Sequence, residues 1–244
     1  GNTFEENDAD YGGGLYLSLS ASHVVSNTIR RNASIRNGGG LFLIKSPAIL
    51  RQNLIERNTA HRFGAGLFIH DCEATVSYNT IRNNVADLVA GGVYVYGWTS
   101  DSASNLEYNT IVANQATQYG AGGVLLQSDK ATLLGNRIAH NMTGSDGGGL
   151  WLAESEAVIQ NNVVVDNRAD GGCSGLHMTG SSPHLLHNTI ARNVGGDAIG
   201  ICLSQDEFSG LDSRLAMTNT VLVSQAVGIS ITGGSSAAID SILW

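Results

Sequence analysis

The sequence predicts an all-β solenoid: a parallel β-helix of about nine coils, each ~26 residues long and built of three short strands. Three observations point there. A glycine corner followed by an apolar strand recurs nine times, most clearly at Gly38-Gly39-Gly40-Leu41-Phe42-Leu43 and Gly147-Gly148-Gly149-Leu150-Trp151-Leu152. A second marker, Asn-x-(Ile/Val/Phe)-x-x-Asn, keeps step with it; from Asn2 to Asn219 its first asparagines lie 25, 26, 26, 30, 27, 26, 26 and 31 residues apart. Finally, no segment carries the 3.6-residue apolar period of a helix.

Each coil is then read in order. The first strand follows the glycines, as in Leu41-Phe42-Leu43. The second precedes the first Asn, as in Ala74-Thr75-Val76, and the third is the Asn-x-Ile segment itself, as in Thr80-Ile81-Arg82. Residues alternate apolar and variable within each, the period of a half-buried strand. Strands this short find partners only in the coils above and below, so ~4.8 Å per coil gives a rod roughly 43 Å long. Three inward columns are expected. The first runs from Leu15 through Leu41 and Leu67 to Ile229, the second from Ile29 through Ile55 and Ile81 to Val221, and the third from Val24 through Leu50 to Leu185. The asparagines are expected to stack as ladders that satisfy one another and the turn amides.

Composition agrees and limits the partners. Gly is 31 of 244 residues and Pro only 2, so the glycines mark corners rather than a flexible segment. A net charge of -8 argues against nucleic acid, which needs clustered Lys and Arg. No apolar run approaches the ~20 residues of a membrane-spanning helix. Both ends fall inside a repeat with no legible cap, so residues 1–244 are expected to form one β-helix domain cut from a longer chain. The three cysteines have no metal-ligand spacing; Cys173 and Cys202 fall on neighbouring repeats, where a bridge is allowed but not required.

The pairing of Gly-Gly-Gly-Leu (Gly38 to Leu41) with Ile-x-x-Asn (Ile29 to Asn32) resembles the repeats of bacterial right-handed parallel β-helix proteins. These are the pectin-lyase-like superfamily and the passenger regions of autotransporter and polymorphic outer-membrane adhesins. The resemblance covers essentially the whole chain. It implies a single-stranded right-handed coil and a secreted or cell-surface location. It leaves activity open, because the superfamily holds lyases, hydrolases, epimerases and noncatalytic adhesins.

Two features carry candidate function. The middle residue of each glycine-following strand points away from the core, and in sequence order these are Tyr16, Phe42, Phe68, Tyr94, Leu125, Trp151, His177, Cys202 and Ser230, five of the first six being aromatic. An outward aromatic stripe stabilises a stack, and its flat rings also suit a glycan or protein surface. The two long spacings place insertions after that strand, at 97–103, which contains Trp98, and at 204–212. The same turn carries Asp71, Asp101, Asp129, Lys130 and Glu154 on nearby coils. If they converged, these carboxylates and the lysine could serve a polysaccharide lyase or hydrolase. Asp71 and Asp101 are the weak Ca2+ candidates, and no other cofactor is expected. A column of outward threonines (Thr28, Thr80, Thr110, Thr189, Thr220) is interrupted by Leu54, Arg137 and Val163, so it reads as β-propensity and not as a flat binding face.

The expected function is therefore a noncatalytic, extracytoplasmic β-helix module for adhesion, a structural stalk or assembly. It would contact glycan or protein, or self-associate, through the aromatic binding residues Tyr16, Phe42, Phe68, Tyr94, Trp98, Trp151 and His177. The alternative is a polysaccharide-active enzyme, a lyase, hydrolase or epimerase, working on the turn cluster.

Overall fold

In a computed structural model, which describes residues 1–98, 102–241 and 243, the chain winds as a parallel β-solenoid. Among the described residues there are four sheets and no helix. Sheet I runs from Thr3–Glu5 to Val221–Val223 and holds the Asn-x-Ile strands. Sheet II runs from Asp8–Tyr11 to Arg168–Ala169, sheet III from Leu15–Ser18 to Val227–Ile231 with the glycine-following strands, and sheet IV from His23–Val25 to Ser236–Asp240. Sheets I, III and IV have nine strands each and sheet II seven, and each strand pairs in parallel with its equivalent one coil away.

Sheet II is a fourth strand in most coils, beyond the three expected. It is only two residues long in the middle of the rod, as at Thr59–Ala60 and Val85–Ala86. Its residues lie between the second Asn and the glycine corner, too few to show an alternation.

The three inward columns form one continuous core; Ile29, Leu41, Leu50, Ile55, Leu67 and Ile81 are all fully buried. Each such side chain contributes roughly 1.5–3 kcal/mol. One column slips at its end. Ile190 pairs with Leu222, not Val221, and Leu222 is the buried residue. The cause lies one step earlier in the chain. The backbone N–H of Asn188 donates to Thr220 Oγ1, so Thr220 takes the ladder position expected of Asn219 and is buried instead of facing outward.

The asparagine ladders hold the turns. In the second ladder Asn32, Asn58, Asn84, Asn114, Asn141 and Asn167 each receive, on Oδ1, both the backbone N–H and the side-chain amide of the Asn one coil before. The residue before each ladder Asn turns the chain in the left-handed region, as Arg31 (φ 53), Arg57 (φ 54) and Asn83 (φ 54) do. The third glycine of the corner packs against this ladder. A Cβ on Gly66 would lie 2.6 Å from the Gly92 carbonyl oxygen and 3.0 Å from Asn84 Nδ2. The glycine motif and the asparagine motif therefore repeat together because they touch.

Candidate functional site

The outward side of sheet III is a shallow groove. Its floor is the stripe read from the sequence: Tyr16, Phe42, Phe68, Tyr94, Leu125, Trp151 and His177 occupy successive register positions. One wall is the last residue of the same strands, two positions on and therefore on the same face, including His70, Tyr96, Gln127 and Thr179. The other wall is the residue just before each glycine corner: Tyr11, Phe63, Val89 and Tyr119. The groove comprises two concavities of ≈ 640 and ≈ 580 Å³ that adjoin at Phe63, Tyr94 and Gln127.

The floor is less exposed than an outward stripe suggests. Phe42, Phe68, Tyr94 and Leu125 are buried, because the walls close over their flanks and form a second hydrophobic cluster outside the main core. The rings also use their faces on one another. Tyr16 and Phe42 stack at 5.3 Å and 1°, and Phe42 and Phe68 at 5.1 Å and 9°, so ring edges line the middle of the floor. Flat faces remain at the margins: Tyr16 is half exposed, Tyr119 is exposed on the wall, and Trp151 is half-buried beside His177 at 4.6 Å. Trp98 is exposed and packs edge-on at 6.2 Å against Tyr96, but it lines neither concavity.

Polar groups are few. The Tyr94 hydroxyl donates to Gln127 Oε1, and burial pushes its pKa well up, so it stays protonated. Trp151 Nε1 donates to Thr179 Oγ1 at 3.2 Å. His177 Nδ1 and Asn37 Oδ1 are buried without a hydrogen-bond partner among the described residues. Burial also lowers the His177 pKa, against the opposing charge of Asp146, so the ring is neutral near pH 7. Cys202, next in register after His177, forms a disulfide with Cys173, with a Cα–Cα distance of 5.9 Å. The third cysteine, Cys72, is a buried free thiol.

Among the described residues the acidic side chains of this turn take separate partners. Asp71 accepts the backbone N–H of Trp98 and lies 3.6 Å from His70 Nε2. Asp129 points inward and is buried, with Oδ2 accepting from Ser102 Oγ at 2.5 Å. It holds the place that Ser46, Cys72, Ser155 and Ser181 take on other coils, two residues after the sheet III strand. These small side chains form a third ladder, in which the Ser46 amide meets Cys72 Sγ and the Ser155 amide meets Ser181 Oγ. Lys130 is exposed and 3.8 Å from Glu156, and exposed Glu154 lines a separate cavity of ≈ 390 Å³ with Asp212 and Arg214. Asp101 lies outside the described residues. Among the described residues no group of three His, Cys, Asp or Glu is placed to hold a metal ion.

The right-handed beta helix region model matches residues 1–107 and 101–242. The chain belongs to the right-handed beta-helix family. Its closure into parallel coils is also found in two crystal structures of the periplasmic alginate epimerase AlgG. One is an Asp-to-Ala mutant, with a TM-score of 0.54 and 15% identity. The other gives a TM-score of 0.53 and 16% identity, and each comparison covers 97% of this chain and 73% of that chain. At this identity the likeness concerns the fold. Comparison with curated protein sequences finds no match. In this β-helix the sequence located the groove floor but missed its walls. The signal for one wall was present, since an aromatic or apolar residue precedes the corner at Tyr11, Phe63, Val89 and Tyr119.

Proposed function

We propose that this β-helix is an extracytoplasmic, noncatalytic module that binds a linear, uncharged glycan along the outer face of sheet III. The observation that carries the reading is the lining of the groove. It is aromatic along its length and holds a few amide, hydroxyl and imidazole groups; among the described residues no Lys or Arg lines it, and the guanidinium beside it, Arg36, is spent on the ring and hydroxyl of wall residue Tyr11. A polyuronate needs cations to offset its charge, and the groove offers only Asp206 and Glu207. Seven coil steps separate Tyr16 from Cys202, roughly 34 Å, so the ligand is an oligomer and not a single sugar. The Cys173–Cys202 disulfide suits an oxidising compartment. The likeness to a periplasmic protein points the same way. Surface adhesion or a structural stalk follows from this reading where the glycan belongs to an envelope or a host surface.

The test is affinity electrophoresis on neutral and uronic polysaccharides with wild type and Trp151→Ala. Retardation by a neutral glycan that Trp151→Ala abolishes supports the reading; retardation by polyuronates alone overturns it. A second reading, a polysaccharide-active enzyme, draws on the fold shared with an alginate epimerase. Incubation with alginate followed by proton NMR would reveal it through new uronate or unsaturated-sugar signals.

A further inference from the structure

The second concavity differs from the rest of the groove, because an inserted turn hangs over it. Residues 205–208 leave the Ile199–Ser204 strand and line this cavity together with Tyr119, Trp151 and His177. Phe208 is 99% exposed, an unusual state for a phenylalanine. The turn that presents it is internally tied. Asp206 Oδ1 accepts the backbone N–H groups of Phe208 at 3.0 Å and Ser209 at 2.8 Å, and the Asp206 N–H donates to the Leu211 carbonyl at 2.8 Å. Its root is tied as well, since Cys202 in the preceding strand is bridged to Cys173 in the strand that carries His177. Phe208 is therefore held out by the backbone and not by apolar contact.

Three aromatic rings from three different elements line one cavity of ≈ 580 Å³: Tyr119 on the wall, Trp151 on the floor and Phe208 on the insert. A fourth lining residue, His177, brings a buried Nδ1 that has no hydrogen-bond partner among the described residues. A buried polar atom without a partner is unfavourable, so a ligand hydroxyl that pairs with it is favoured. A pyranose ring offers that combination. Its axial C–H groups suit the electron-rich faces of aromatic rings, and its equatorial hydroxyls reach polar atoms at the rim.

We infer that the cavity bounded by Tyr119, Trp151 and Phe208 is the pyranose subsite that fixes the position of the glycan on the groove, with His177 Nδ1 as its buried polar anchor. This rests on the neutral-glycan reading and adds to it the residues that set register and specificity. The Tyr16 end then supplies extra contact for long ligands only. Glu207 and Gln205 at the rim set which hydroxyl pattern is accepted.

Isothermal titration with cellohexaose, mannohexaose, xylohexaose and chitohexaose, and with the corresponding trisaccharides, tests the assignment. Phe208→Ala and Tyr119→Ala change exposed side chains and leave the coil intact. Each is expected to weaken hexasaccharide and trisaccharide binding about tenfold or more, as truncation of an aromatic anchor does. His177→Phe keeps the ring column and removes the anchor, with a loss of similar size. Tyr16→Ala is expected to weaken the hexasaccharide and leave the trisaccharide unchanged. A hexasaccharide that binds wild type, loses affinity in Tyr16→Ala and stays within about twofold in the other three variants overturns the subsite but not the groove. Failure of all four hexasaccharides to bind wild type overturns both.

Discussion

Asp129 shows how a single residue can contradict its surroundings. Its neighbours in the third ladder are hydroxyls and a thiol, and it places a carboxyl in the same buried position. Burial pushes its pKa up to about 6, with partial offset from the Ser102 hydroxyl and the Ser104 and Ala131 amides. Folding thus favours the protonated acid. The corresponding stability is fully present below the unfolded value near 3.8 and is lost as pH rises through about 6. Asp129→Asn, which keeps the shape and cannot ionise, should unfold at nearly the wild-type urea midpoint at pH 4. Above pH 7 it should be the more stable protein, by at most about 3 kcal/mol. Equal midpoints at both pH values would mean that Asp129 is not held neutral by the fold.

At the scale of the element, the asparagine ladder does the work that helix caps do elsewhere. Asn84 accepts two hydrogen bonds from Asn58, at 3.0 Å each, and donates to the Ile55 carbonyl at 3.1 Å and to Asn114 Oδ1 at 2.9 Å. Asn84→Ala strands all of these partners in a buried turn, so a loss of about 2–4 kcal/mol is expected in chemical denaturation. A loss under about 0.5 kcal/mol would show that the ladder is decoration. This element was legible in the sequence because one residue type recurs at a constant step. The serine-type ladder was not, since Ser46, Cys72, Asp129 and Ser155 share size and position but not identity. Sheet II was illegible for a different reason: two residues such as Thr59–Ala60 cannot display a period. The slip from Asn219 to Thr220 follows the insert at 204–212, which changes the coil length to 32 residues and lets a hydroxyl replace the amide. The stripe was read correctly as an outward column. Its burial depended on Tyr11, Phe63 and Val89 packing against it from the residue before each corner, a contact that no single strand reveals.

At the scale of the whole molecule, each described strand pairs with its equivalents in the adjacent coils, so stability is a sum of local terms and a cross-link acts locally. The disulfide between Cys173 and Cys202 closes a loop of sequence separation 29 and joins two adjacent coils. A bridge of this size contributes about 2–4 kcal/mol, mostly by restricting the unfolded chain. In a compact domain that gain would be felt throughout. In a solenoid it should be concentrated in the coils it joins and in the insert rooted between them. Hydrogen exchange on oxidised protein and on Cys173→Ser/Cys202→Ser should therefore agree at the amides of the Asn32 to Asn84 turns. The two should diverge at the amides of Cys173–Thr179 and Ile199–Ser204, with protection lost in the variant. The same variant should bind a neutral hexasaccharide more weakly, because the insert that carries Phe208 loses its fixed root. Uniform loss of protection along the rod would mean that the coils unfold as one unit. Unchanged protection at Ile199–Ser204 would mean that strand pairing alone fixes the insert.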